Sequence, residues 1–163
     1  MNELSDKWKY RYMNLAKMVA SWSKDPSTQV GCVLVDTSDH RRRIIATGYN
    51  GFPAGMSDAE GLYADREFKY CHVVHAEENA LNNLSGTEKS IVLFSTFPVC
   101  PDCMHNIYGA RRRGVIVVKI IQPYLDCCAA GKPESWKQEW LERIAQSACL
   151  AKKYNIDVEL MDV

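Results

Sequence analysis

The stretch His75–Ile121, HAEENALNNLSGTEKSIVLFSTFPVCPDCMHNIYGARRRGVIVVKII, alternates two helical with two extended segments, and its reading decides the fold class. A helix from His75 to Leu84 stops before Ser85-Gly86, and Ser90–Phe94 is an apolar strand. A second helix begins between Cys100 and Asp102 and ends at Gly109 or within Arg111-Arg112-Arg113, and Val115–Ile121 reads as a buried strand after Gly114. Helix and strand in turn predict an α/β fold with a mostly parallel sheet and helices on both faces.

Working outward, Trp8, Tyr12, Leu15, Val19 and Trp22 recur at helical spacing and predict an amphipathic helix from about Asp6 to Ser23, ended by Lys24-Asp25-Pro26. Gln29–Val35 and Arg43–Thr47 read as an antiparallel pair of strands joined by a polar hairpin. Gly48-Tyr49-Asn50-Gly51-Phe52-Pro53-Ala54-Gly55 is too rich in Gly, Asn and Pro to be other than a shaped loop. Beyond Ile121, Tyr124 falls just past the strand end. Glu134–Tyr154 repeats Trp136, Trp140, Leu141, Ile144 and Ala148 on one helical stripe, and Ile156–Met161 alternates as a last strand. With no repeat or linker, the 163 residues are expected to form one domain, 1–163.

Twenty basic residues balance twenty acidic ones, so no overall field draws in a polyanion. The runs His40-Arg41-Arg42-Arg43 and Arg111-Arg112-Arg113 read as solvated faces, and a nucleic-acid partner is not expected. No apolar stretch approaches the roughly 18 residues of a membrane span, and Met1–Lys7 has no signal-like apolar core, so a soluble cytoplasmic protein is expected. Seven cysteines, an odd number without a secretory signal, point to reduced thiols with metal-binding or catalytic work.

His75-Ala76-Glu77 followed by Cys100-Pro101-Asp102-Cys103 concentrates the chemistry. Two thiolates two residues apart can face one ion, and a histidine upstream supplies a third ligand, leaving one tetrahedral position for water. Both ligand sets fall at expected helix N-termini, where the helix dipole favours thiolate. Glu77, two residues along the helix from His75, diverges from it by roughly 200° and so is not a ligand, but it can lean over the bound water and carry protons to and from it. A closed structural zinc site is the alternative; Cys71 or His72 would then be the fourth ligand, and Glu77 would have no role. Cys32 reads as a buried small hydrophobe, while Cys127, Cys128 and Cys149 carry no partner pattern.

The two segments match the H-x-E…P-C-x-x-C signature of nucleobase deaminases, except that Val99 separates Pro98 from Cys100. Together with Ser23-Lys24-Asp25-Pro26-Ser27-Thr28-Gln29-Val30-Gly31, Thr47-Gly48-Tyr49-Asn50-Gly51-Phe52-Pro53 and His75-Ala76-Glu77-Glu78-Asn79-Ala80, they make the chain resemble the deoxycytidylate (dCMP) deaminases of the cytidine deaminase-like superfamily. The resemblance runs from Ser23 to Cys103 and more weakly to Tyr124. It implies a three-layer α/β/α sandwich around a mixed sheet of about five strands. It also implies hydrolysis of dCMP to dUMP and ammonia, supplying thymidylate synthesis. Catalytic Zn2+ would sit on His75, Cys100 and Cys103, with Glu77 as the proton shuttle. By the same resemblance Asn50 contacts the nucleoside and Tyr124 packs on the pyrimidine. Lys24, Gly48, Tyr49, Asn50 and Gly51 help form a regulatory nucleotide site, where dCTP with Mg2+ activates and dTTP inhibits. Family members are commonly hexameric, which implies a homo-oligomer. Met56 stands where many relatives carry a cysteine, which argues against a second, structural zinc, and Asn83 and Gly86 stand where some members place aromatic and basic residues for effector response. Two other functions compete: deamination of another nucleotide or of tRNA adenosine, which needs a basic surface, and a zinc-stabilised nucleotide-binding module without turnover, which leaves Glu77 unexplained.

Overall fold

The computed structural model describes residues 3–57 and 60–163. Among these, strands β1 (Gly31–Asp36), β2 (Arg43–Tyr49), β3 (Ile91–Ser95), β4 (Val117–Pro123) and β5 (Asp157–Met161) form one sheet in the order β2-β1-β3-β4-β5. β1 is antiparallel to both neighbours, while β3 with β4 and β4 with β5 are parallel. Four strands therefore share a direction, as expected, and the antiparallel β1 is inserted between β2 and β3.

The alternation of β1 and β3 splits the core in two. Cys32, Leu34, Ile91 and Leu93 point to one face, where α4 (Ala76–Asn82), α5 (Pro101–Gly109) and α7 (Glu134–Tyr154) cover them. Val33, Val35, Val92 and Phe94 point to the other, against Tyr12, Met13, Ala16 and Val19 of α1 (Asp6–Ala20). The three-layer α/β/α arrangement follows from strands that are apolar on both faces. No helix among the described residues is long and apolar enough to cross a membrane.

Two glycines set how closely the helices ride on the sheet. A Cβ on Gly31 would lie 2.1 Å from the Ala16 carbonyl oxygen of α1, and one on Gly48 2.3 Å from the Ala80 nitrogen of α4. Gly48 was expected in a loop, but it pairs with Cys32 and Tyr49 pairs with Gly31, so β2 runs two residues further than its β-branched core. The glycine has no side chain because a helix occupies that space.

Other boundaries differ for local reasons. α1 ends at Ala20, and Trp22 beyond it is 52% exposed, edge-on to Tyr49. The inward stripe of α7 runs through the half-buried Trp136, Trp140, Arg143 and Ile144 to the buried Ser147 and Ala151, while Leu141 and Ala148 face outward. Three short helices were not anticipated: α2 (Glu60–Ala64), α3 (Arg66–His72) and α6 (Leu125–Cys128). Asp65 caps α3 by accepting a hydrogen bond from the Phe68 amide at 3.0 Å. α2 and α3 lie between β2 and α4, on the path from Asn50 to His75.

Candidate active site

His75 is the N-cap residue of α4 and Cys100 that of α5, so both segments present their donors where the chain turns into a helix. Pro101 at the first helical position fixes the turn, and the Cys103 amide donates to the Cys100 sulfur at 3.4 Å. The extra Val99 is accommodated because its amide donates to Gln122 Oε1 at 2.9 Å, tying the turn to the end of β4. His75 Nδ1 lies 3.2 Å from Cys103 Sγ and 3.4 Å from Cys100 Sγ. Among the described residues no other three His, Cys, Asp or Glu side chains converge in this way.

The donor set fits a tetrahedral thiophilic cation. Bonds of about 2.0–2.3 Å give donor-to-donor edges of about 3.3–3.8 Å, close to the spacing found, and three ligands leave one position open. The electrostatics agree. The hydrogen bond from Cys103, opposed by burial and helped by His75, pushes the Cys100 thiol down to about 3. The same hydrogen bond, with burial, pushes the Cys103 thiol upward, and contact with Cys100 raises His75 to about 9. One thiolate is thus favoured without a metal, and a dication would displace the remaining protons.

Glu77 is 4% exposed and stands beside this trio without joining it. Its Oε1 accepts from Ser95 Oγ at 2.9 Å, and its Oε2 lies 3.6 Å from Cys103 Sγ. Burial raises its carboxyl against the opposing pull of His75.

The site opens into a cavity of about 780 Å3 that includes His75, Glu77 and Cys100. The cavity lies at the carboxyl ends of β2 and β3, where open α/β sheets bind ligands. Phe97 walls one side, edge-on to Trp140 at 4.7 Å and to Trp136 at 6.2 Å. On the other side a buried ion pair joins Lys69 to Asp25 at 2.6 Å.

A model of the cytidine and deoxycytidylate deaminase zinc-binding region matches residues 6–119. The chain belongs to this deaminase family. Over 105 residues it is 42% identical to an uncharacterized deaminase in the luxG 3′ region of Aliivibrio fischeri, covering 62% of this chain and 65% of that one. Over 110 residues it is 37% identical to a probable deoxycytidylate deaminase of Caenorhabditis elegans, covering 64% and 54%. The chain thus spans between about half and two thirds of these relatives' length. The crystal structure of dCMP deaminase from the cyanophage S-TIM5 in complex with dCMP and dUMP is similar at a TM-score of 0.68 and 25% identity, covering 98% of this chain and 100% of that one.

Within this deaminase fold the expected residues separate into two groups. His75, Glu77, Cys100 and Cys103 converge, and Asn50 shares their cavity. The Asn50 amide is held by the protein: Oδ1 accepts from the Val30 amide at 2.7 Å, and Nδ2 donates to the Thr28 carbonyl at 2.9 Å and to Asp25 at 3.4 Å. Tyr124 caps α6 at the same end of the sheet but is exposed and not among the cavity-lining residues. Lys24 and Tyr49 are also exposed, and Gly51 is pinned to Val74 by paired backbone hydrogen bonds. Cys71 and His72 lie on the exposed side of α3, apart from the donor trio, and the His72 ring stacks on Phe68.

The supports of Asn50 come from residues distant in the chain. Asp25 accepts from the Ser27 and Thr28 amides as well as from Lys69, organising the loop that holds Asn50. Burial alone would raise its carboxyl, but the Lys69 and Ser27 hydrogen bonds outweigh that and lower it. Lys69 between Phe68 and Tyr70 was the available signal, a charge inside an aromatic run. Trp136 and Trp140, one turn apart, were visible as an apolar pair but not as a cavity wall.

Proposed function

We propose that this chain, as one domain of residues 1–163, catalyses zinc-dependent hydrolytic deamination of dCMP to dUMP and ammonia, the dUMP feeding thymidylate synthesis. The observation that carries this reading is the convergence of His75, Cys100 and Cys103 at one end of a nucleotide-sized cavity, with the buried Glu77 carboxylate beside them.

His75, Cys100 and Cys103 would hold the ion. When bound, zinc supplies Lewis acidity that brings a water toward ionisation near neutral pH. Glu77 takes the proton as the water oxygen adds to C4 of the cytosine. It returns a proton to the exocyclic nitrogen as the C4–N bond breaks, so dCMP and water give dUMP and ammonia. Ser95 holds one oxygen of Glu77 and leaves the other for this transfer. Phe97, Trp136 and Trp140 exclude bulk water and offer flat apolar surface to the base. Asn50 is assigned to the nucleoside and Tyr124 to the pyrimidine. An unchanged KM in Tyr124→Ala would leave the packing to the aromatics that line the cavity.

Ammonia release against dCMP, dCTP, cytidine, deoxycytidine and an adenosine-containing RNA hairpin tests the reading. The expected order puts dCMP first. Preference for the hairpin would make the chain a nucleic-acid deaminase, and no release from any of them would make it a binding module. Regulation by dCTP with Mg2+ (activating) and dTTP (inhibiting), through Lys24 and the Gly48–Gly51 segment of a homo-oligomer, belongs to the same proposal. That segment carries Asn50 into the cavity, so a nucleotide that prefers one arrangement of it biases substrate binding. Lys24→Ala should blunt the dCTP response, and dCMP kinetics indifferent to both nucleotides would remove regulation from the proposal.

A further inference from the structure

Four cations and the three carboxylates Asp25, Glu77 and Glu139 line the cavity, and two of the cations stand outside any ion pair among the described residues. Arg66, Lys69, Lys132 and Arg143 all line it. Lys69 is neutralised by Asp25 at 2.6 Å. Arg143 reaches Asp102 at 3.3 Å and has Glu139 one helical turn before it on α7. Arg66 and Lys132 have no carboxylate partner among the described residues. The Arg66 guanidinium lies 5.3 Å from the centre of the Tyr70 ring. The Lys132 ammonium lies 5.7 Å from that of Trp136 and donates a long 3.4 Å hydrogen bond to the Ser27 carbonyl oxygen.

These two cations line the same cavity from different parts of the chain. Lys69 donates to Ser27 Oγ at 2.5 Å, and Arg66 stands three residues before Lys69 on α3, which puts both on one helical face. Lys132 reaches the same Ser27 from the segment between α6 and α7, beyond the residues 6–119 that the family model matches. Their aromatic supports restrict both side chains without neutralising them.

We infer that Arg66 and Lys132 bind the 5′-phosphate of the nucleotide and so make the cavity select a nucleoside monophosphate over the free nucleoside. This rests on the dCMP reading for the identity of the base. A phosphate monoester carries about −1.5 to −2 at neutral pH, which two unpaired cations match. Binding through a group remote from C4 orients the base against Glu77, so the cations act on specificity as positioning residues.

The test measures kcat/KM for dCMP and deoxycytidine, and calorimetric Kd for dUMP and deoxyuridine, on the zinc-loaded protein. Arg66→Ala, Lys132→Ala and the charge-retaining Lys132→Arg are compared with Lys137→Ala, an α7 lysine paired with Asp126 outside the cavity. Losing one charged hydrogen bond should cut the preference for dCMP over deoxycytidine about 10–100-fold in each of the first two variants. The Kd for dUMP should rise by a similar factor, Lys132→Arg should recover most of the preference, and Lys137→Ala should not move it. An unchanged preference in both alanine variants, or equal losses for nucleotide and nucleoside, would overturn the assignment. If no substrate is deaminated, the deaminase reading fails alone. The dUMP and deoxyuridine affinities then decide the phosphate site, and a wild-type protein that binds both equally overturns it.

Discussion

At the scale of single residues, Glu77 and Cys103 are separable in principle although they touch. Glu77→Gln keeps the shape of the side chain and the donor trio, so zinc content measured by elemental analysis should be unchanged. Turnover should fall by at least roughly the 10²–10⁴-fold that general acid–base catalysis contributes. Cys103→Ser should instead lose the metal together with the activity, because a neutral hydroxyl replaces a thiolate ligand. Full zinc content with full activity in Cys103→Ser would dismiss the trio as the metal site. Asn50 illustrates why a residue's role cannot be read from its type: its amide is already engaged with Val30, Thr28 and Asp25, so whatever it offers a ligand is pre-oriented.

At the scale of elements, the helices lie on the sheet through contacts too close for a side chain. Gly48→Ala would force a Cβ to 2.3 Å from the Ala80 nitrogen and 2.4 Å from the Ala76 carbonyl oxygen, and backbone atoms cannot yield as a flexible side chain would. A loss of about 1–3 kcal/mol or more is expected, read as a lower denaturant midpoint at constant slope. Gly109→Ala, on helical backbone at the end of α5 with nothing within 4 Å of the added atom, should stabilise by roughly 0.4–1 kcal/mol. A second element-level link is the Asp25–Lys69 pair, which fastens α3 to the loop after α1. Removing one partner leaves a buried charge uncompensated, at a cost of about 3–5 kcal/mol. Asp25 is held below its unfolded value, so the stability it confers is complete at neutral pH. That contribution declines as the pH falls below about 3.9 and is lost once the folded carboxyl titrates. Thermal melts between pH 7 and pH 3 should therefore fall less steeply for Asp25→Asn than for the parent, from a lower starting point.

At the scale of the whole molecule, the proposed metal joins two helices whose N-termini meet beyond the sheet. A ligand that binds only the folded chain stabilises it by about 2.7 kcal/mol at one hundred times its Kd. For a protein this size, stripping zinc with a chelator should lower the Tm by roughly 5–10 °C, and adding zinc back should restore it. A Tm indifferent to chelator, in protein shown to have lost its metal, would mean that packing alone holds α4 and α5 in place. The α7 helix matters at this scale too: it closes the cavity from outside the family-matched region.

The sequence by itself determined the alternation of helix and strand from His75 to Ile121, the extent of α7, and the four side chains of the zinc-and-glutamate motif. These are local properties, set by periodicity over one element or by a few residues at a helix start, and short-range sterics suffice to fix them. The tertiary structure alone decided that β1 lies between β2 and β3, that Gly48 is strand beneath α4, and that Lys69 meets Asp25 across 44 residues. It alone decided that Phe97, Trp136 and Trp140 wall the cavity while Tyr124 stands outside it. Such features depend on which distant surfaces pack together. A lysine becomes a buried ion pair, or a tryptophan a cavity wall, only because another part of the chain removes it from water, and no periodicity within its own segment encodes that partner.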